Sequence, residues 1–310
     1  MEKSSTGHIS WRKKGSSLVR IENVLLREML AEFLGTFILL VFGNGAVAQK
    51  VLSRDTLGTT LSINWAYGFG VTMAVYVTGK VSGAHINPAV SVAQCAFGNL
   101  PLYKLPCYIF SQVFGGFVSG AAVYSIYYEA LNAFDGGQRS VLGPNGTGGI
   151  FATYPQDYLS INNGLWDQVF GTALLVGIIF AVTDNKNNTI ADGLTPIIIG
   201  LLVFILGTSF GLNCGYAINP ARDFGPRLFT FAAGWGPGVF TEPNGMSWWW
   251  VPIVGPIIGG LTGAILYKLM VGTHLPSGSQ SVITDEEDDF EICSHTSDNR
   301  EKLCKGLTKL

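Results

Sequence analysis

The chain has 310 residues, of which only 13% are charged and 48% are hydrophobic, with 40 glycines and a formal net charge of −2. Charged residues at about half the usual quarter, with glycine abundant, describe a polytopic membrane protein whose helices pack closely. The near-neutral balance excludes a nucleic-acid binder working through a basic field, and Cys95, Cys107, Cys214, Cys293 and Cys304 show neither metal spacing nor a disulfide framework.

In chain order, residues 1–23 form a polar arm with Lys3, Arg12, Lys13, Lys14 and Arg20, too basic for a secretory signal. Six predominantly apolar stretches follow: Val24–Ala48, Leu61–Gly79, Pro106–Tyr128, Leu165–Thr183, Thr195–Phe210 and Trp248–Met270. Each is long enough, or nearly so, to cross about 30 Å of hydrocarbon, which takes roughly 20 helical residues. Two apolar segments too short to cross lie between the second and third stretches and between the fifth and sixth. The basic arm, with Arg27, Lys80 and Lys104, places both termini in the cytoplasm. Trp248, Trp249 and Trp250 read as an interface anchor. The tail, residues 273–310, carries an acidic block at Asp285–Glu291 behind Ser281 and Thr284 and reads as disordered and solvated. The predicted fold class is therefore an all-α membrane protein with six transmembrane helices and two re-entrant half-helices. Its channel unit runs from 24 to 272, with one repeat at about 24–130, a second at about 160–272, and an extracellular loop between them.

The two short segments hold the strongest signal. "SGAHINPAV" spans residues 82–90 and "CGYAINPAR" spans residues 214–222. Gly79, Gly83, Ile86, Asn87, Pro88 and Ala89 match Gly211, Gly215, Ile218, Asn219, Pro220 and Ala221 at one offset, 219 − 87 = 132. "EFLGT" at Glu32–Thr36 likewise resembles "QVFGT" at Gln168–Thr172. Three spans per unit is odd, so the second unit sits inverted in the membrane. Inverted repeats with broken helices mark a permeation site at the midplane.

Asn is a leading N-cap and Pro is favoured at the next position, so each motif starts a short helix, Pro88–Phe97 or Pro220–Thr230. About ten residues make roughly 15 Å, half the hydrocarbon. The two half-helices meet N-terminus to N-terminus. With each amide oxygen capping, the NH₂ groups of Asn87 and Asn219 are expected to donate into the pore. An oxygen accepting from both turns its hydrogens outward, which interrupts proton hopping. The two helix ends together present about one positive charge. Cations are excluded and neutral hydroxylated solutes pass.

On these residues the chain resembles the aquaporin (major intrinsic protein) family, specifically its animal aquaglyceroporin or glycerol-facilitator branch, over roughly residues 25 to 272. "NPARDFGPR" (Asn219–Arg227), "GGIFATYP" (Gly148–Pro155) and "GWGPGVF" (Gly234–Phe240) resemble segments of animal glycerol channels, and Asp223 is the marker of that branch. The resemblance implies an outer selectivity filter at Tyr67, Gly207, Tyr216 and Arg222, and a homotetramer with one pore per protomer. Tyr67 and Tyr216 would face the carbons of glycerol while Arg222 donates to its hydroxyls. The branch usually has Phe or Trp at the place of Tyr67, so the added hydroxyl is expected to narrow the pore or favour smaller, more polar solutes. Gln168 stands where many relatives have Glu, and it is expected to brace a re-entrant loop as Glu32 braces the other.

His85 is read first as a packing residue and otherwise as a titrating group at the inner mouth. Cys214 reads as a small buried hydrophobe or as a mercurial-sensitive thiol. Asn145-Gly146-Thr147 is a glycosylation sequon placed outside, and Asn187-Asn188-Thr189 one placed inside. The function expected is passive conduction of glycerol, water and other small neutral solutes, urea among them, across the plasma membrane, with protons and ions excluded. The partners expected are those solutes and membrane lipid; no nucleic acid, cofactor, metal or catalytic residue is implied. The rival readings are a water-only channel, against which Gly207 and Asp223 argue, an ion-coupled transporter, for which the spans offer little beyond Glu32 and Asp223, and a membrane enzyme, for which no paired catalytic carboxylates, nucleophile motif or metal cluster appears.

Overall fold

Polar caps set where the helices start. In the computed structural model, which describes residues 20–276 apart from 188, 192, 242, 244 and 246, Asn23 opens α1 (Val24–Leu52) by accepting from Leu26 N at 3.0 Å. A reciprocal pair, Thr59 and Ser62, opens α2 (Thr60–Ser82), and Gly83 in the left-handed region closes it. Asn87 starts α3 (Pro88–Ala96), and α4 (Leu105–Ile126) returns. A short helix, α5 (Tyr128–Asp135), follows in what reads from sequence as loop. Ser160 then caps α6 (Ile161–Val182), followed by α7 (Thr195–Phe210), α8 (Pro220–Thr230) with Asn219 as its cap, α9 (Gly238–Thr241) and α10 (Val251–Met270).

The described residues are helical with no strand, and each of the six expected spans has its helix. Three segments, Leu102–Ile126, Ile161–Val182 and Trp248–His274, are long and apolar enough to cross a membrane. Helix α1 has 29 residues and α2 has 23, which is length enough at about 1.5 Å per residue. Their apolar character is diluted by polar residues turned inward, including Glu32, Asn44, Asn64 and Thr78, all buried. Large apolar side chains such as Phe42, Phe69, Phe110 and Trp166 are exposed instead, as a lipid-facing surface requires.

Two sets of helices interlock. Helix α1 packs on α2 and α4, and α6 packs on α7 and α10. Across the halves, α4 lies on α8, α10 lies on α3, and α2 lies on α7. Each half's last long helix thus holds the other half's short one. Glycine permits the approach: a methyl at Gly116 of α4 would stand 2.6 Å from Ala221 O, and one at Gly260 of α10 would stand 3.1 Å from Ala89 O. Lys3, Arg12, Lys13 and Lys14 of the arm, Asn188 of the second sequon, and Ser281, Thr284, Asp285–Glu291, Cys293 and Cys304 of the tail lie outside the described residues.

Candidate functional site

The two asparagines meet at the centre, each capping its own helix and reaching into the other half. Asn87 Oδ1 accepts from Ala89 N at 2.9 Å; Asn219 Oδ1 accepts from Ala221 N at 3.0 Å and Arg222 N at 3.3 Å. Pro88 and Pro220 follow, each in the first turn. Asn87 Nδ2 donates to Ile218 O at 2.9 Å, and Asn219 Nδ2 donates to Ile86 O at 2.8 Å. The sequence reading gave each NH₂ wholly to the pore. In the structure one N–H of each joins the halves, and an amide NH₂ has a second N–H to donate.

The loops before the motifs repeat down to the backbone. Ala84 and Ile86 have φ of 49° and 45°, and Tyr216 and Ile218, at the same offset, have φ of 38° and 39°. A left-handed conformation costs a residue with a Cβ roughly 1–2 kcal/mol, and four such residues persist only where surrounding groups fix them. Glu32, fully buried, fixes the first loop: Oε1 accepts from His85 N at 2.9 Å and Ser82 Oγ at 2.6 Å, while Oε2 accepts from Ile86 N and Gln112 Nε2, both at 2.7 Å. Gln168 holds the second loop more sparingly. Its Oε1 accepts from Ile218 N at 2.9 Å, and its Nε2 donates to Cys214 Sγ and Asp167 Oδ1, both at 3.1 Å. Cys214 in turn donates to Asp167 Oδ1 at 3.3 Å, and Asn213 Nδ2 donates to Asp167 Oδ2 at 2.9 Å. Asp167 and Gln112 escape the sequence reading because neither belongs to a repeated motif. His85 Nδ1 lies 3.1 Å from Ser91 Oγ and its ring lies 5.2 Å from that of Tyr108, so it has partners and also borders the lumen.

To one side of the asparagines, the rings of Tyr67 and Tyr216 meet edge to face, with centroids 6.1 Å apart. The Arg222 guanidinium stands 4.9 Å from the Tyr67 ring centre, a cation–π contact that uses the ring's negative face. The Tyr67 hydroxyl donates to Asn44 Oδ1 at 2.7 Å. The hydroxyl thus lies in the interface with α1, while the residue still lines the cavity. A methyl at Gly207 would stand 2.6 Å from Tyr216 Cζ, so the glycine makes room for the tyrosine. Asp223 is fully buried behind the wall, paired with Arg227 Nε at 2.8 Å and accepting from Thr153 N at 2.7 Å.

A cavity of about 610 Å³ joins these parts. It is lined by Tyr67, Tyr216 and Arg222 at one end, by Asn87 and Asn219 between, and by Asp184, Lys186 and Lys268 at the other. Pro88, Ala89, Pro220 and Ala221 stand behind it with Glu32, Gln168, Gly207 and Asp223.

Residues 18–267 match the family model described as major intrinsic protein. The chain is 49% identical over 262 residues to aquaporin-10 of Homo sapiens, covering 84% of this chain and 86% of that protein. It is 47% identical over 280 residues to aquaporin-9 of Homo sapiens, covering 89% and 94%. Among solved structures it resembles the aquaglyceroporin from Plasmodium falciparum, with a TM-score of 0.70 and 29% identity over 80% of this chain and 98% of that one. Inverted halves, paired Asn-Pro-Ala helices and these likenesses agree, and the chain belongs to the major intrinsic protein family, the aquaporins.

Proposed function

We propose that this chain passes glycerol, water and other small neutral solutes passively, and excludes protons and ions, through the cavity between Arg222 and Lys268. Membership of the family makes it a multi-pass membrane channel and not an enzyme. The observation that carries the reading is one 610 Å³ cavity lined by both motif asparagines and by Tyr67, Tyr216 and Arg222. In it, Asn87 and Asn219 each offer a free N–H to a hydroxyl, and Arg222 and two tyrosine rings form an amphipathic outer constriction. Glu32 and Gln168 serve as braces, and Asp223 ties the outer loops. The channel unit is assigned to residues 24–272, in two inverted repeats at about 24–130 and 160–272, flanked by cytoplasmic tails. The assembly is a homotetramer in the plasma membrane with a pore in each protomer, and Asn145 carries a glycan on the outer face.

Stopped-flow light scattering on proteoliposomes tests this reading. Reswelling in a glycerol gradient well above that of empty liposomes, with no collapse of a proton gradient, is the expected result. Fast water flow in an impermeant-sugar gradient without glycerol reswelling would establish a water-only channel instead.

A further inference from the structure

The two tyrosines of the outer constriction share an arrangement that neither the motifs nor the braces require. The Tyr67 hydroxyl donates to Asn44 Oδ1 and the Tyr216 hydroxyl to Asn64 Oδ1, each at 2.7 Å. Each ring rests on a glycine: a methyl at Gly43 would fall 2.2 Å from Tyr67 Cε1, and one at Gly207 would fall 2.6 Å from Tyr216 Cζ. Asn44 comes from α1 and Asn64 from α2, at 0% and 2% exposure. The Asn44 Nδ2 is buried and meets no hydrogen-bond partner among the described residues. A buried amide donor left unpaired is destabilising. A leucine would fill the same space without that cost, so the carbonyl oxygen facing Tyr67 is what the position provides.

We propose that Asn44 and Asn64 are specificity-determining positioning residues. They latch the hydroxyls of Tyr67 and Tyr216 into the helix interfaces, hold the rings back on Gly43 and Gly207, and thereby set the constriction wide enough for a polyol. The latch works through the tyrosines and touches no permeant. A phenolic hydroxyl deprived of its acceptor cannot stay in an apolar interface without penalty. The nearest alternative acceptors are lumen water and permeant oxygens, so the ring turns inward. Water, one oxygen wide, still passes the narrowed opening, whereas a three-carbon triol does not. This inference rests on the reading of Tyr67, Tyr216 and Arg222 as the constriction.

The test uses full-length Asn44→Leu and Asn64→Leu in proteoliposomes, with glycerol and water permeabilities measured by stopped flow on the same preparations. Each variant is expected to lose about tenfold in glycerol permeability, the effect of about one hydrogen bond on a barrier, while water permeability stays within about twofold. Adding Tyr67→Phe to Asn44→Leu, or Tyr216→Phe to Asn64→Leu, is expected to restore glycerol flow, because no hydroxyl then needs an acceptor. A merely structural asparagine would not be rescued this way, so loss of both fluxes without rescue overturns the proposal. Tyr67→Ala separates the two readings. If it shifts the glycerol-to-water ratio while both leucine variants leave it unchanged, the constriction stands and the latch is refuted. If Tyr67→Ala and Tyr216→Ala also leave the ratio unchanged, the constriction reading fails and the latch with it. Should Asn44→Leu not reach the membrane, Asn64→Leu and its rescue decide the question.

Discussion

The resemblance to glycerol channels singles out Asp223, yet this residue is not among those that line the cavity. Its carboxylate is fully buried and accepts from Thr153 N, Thr153 Oγ1, Arg227 Nε and Arg227 Nη2. Arg227, equally buried, also donates to Thr153 O and Val239 O and lies 4.6 Å from the centre of the Tyr154 ring. The pair thus fastens α8 to the loop at 148–155 and to α9. Consider Asp223→Asn, which keeps the shape and removes the charge. In either orientation its NH₂ opposes donors, and Arg227 is left as a buried charge without a counter-ion. Breaking a buried pair from one side costs roughly 3–5 kcal/mol, a melting-point drop on the order of 10 °C for a chain of this size.

Tryptophan fluorescence on heating, in detergent, reads that drop; Trp235 lies against Phe151 of the fastened loop, with ring centroids 5.4 Å apart. Glycerol and water fluxes are expected to fall together, in proportion to folded protein, with their ratio unchanged. Adding Arg227→Met is expected to recover much of the loss, because it removes the stranded charge and fills its volume. An Asp223→Asn protein with unaltered melting that loses glycerol flux alone would refute this reasoning and place Asp223 in contact with the permeant.

The two braces are not interchangeable. Glu32→Gln turns an NH₂ toward two of the four donors that Glu32 satisfies, so it is expected to lower stability by about 1–3 kcal/mol, measured by thermal unfolding. Gln168→Glu directs a second carboxylate at Asp167 and is expected to be destabilising as well, where a simple gain of charge would predict improvement. At the end of the cavity away from Arg222, the Asp184 carboxyl is held below the usual carboxylate range, first by the Lys186 N–H and further by Lys268 and Tyr267. Its contribution to stability is present above the unfolded value near 4 and is lost as pH falls through the lower folded value. Melting profiles of wild type minus Asp184→Asn are therefore expected to be flat from pH 8 to 5 and to converge below about pH 4. Asn145 is exposed, and Thr147 of its sequon is buried with its hydroxyl accepting from Trp235 Nε1 at 3.0 Å. Expressed in animal cells, the chain is expected to lose its glycosidase-sensitive band shift in Asn145→Gln and keep it in Asn187→Gln.

What could be read from the sequence follows from how local each rule is. Caps act over three or four residues, so Asn87-Pro88 and Asn219-Pro220 announced helix starts that the fold contains. Apolar runs placed the long helices in the same way. Partner choice is not local: Tyr216 finds Asn64 across 152 residues, Thr153 finds Asp223 across 70, and Ile86 finds Glu32 across 54. No periodicity encodes such pairs, which is why Asn44, the acceptor of the Tyr67 hydroxyl, does not stand out in the sequence. The segments "NPARDFGPR", "GGIFATYP" and "GWGPGVF" are separate in the chain. Asp223, Arg227, Thr153 and Val239 make them one cluster. Helix α5 was missed because eight residues are too few for an apolar stripe to stand out from a loop.

The placement of charge gives ion exclusion a physical basis that the motifs alone do not. Glu32 and Asp223 are buried at 0% exposure and saturated with donors behind the wall. The acidic group that does border the cavity, Asp184, accepts from Lys268 Nζ at 3.2 Å. Arg222, Lys186 and Lys268 border the same cavity, and the two helix ends at Asn87 and Asn219 add roughly half a positive charge each. A monovalent cation about 5 Å from one such unit charge meets about 3 kcal/mol at an effective dielectric of 20, before it loses any hydration. A neutral polyol meets none of that repulsion and gains the N–H donors that the cation cannot use. Glu32, which holds the first loop in its left-handed turns, and Asp223, which ties Thr153 to Arg227, are therefore kept out of the lumen by the same hydrogen bonds that make them structural, so bracing and cation exclusion are one arrangement.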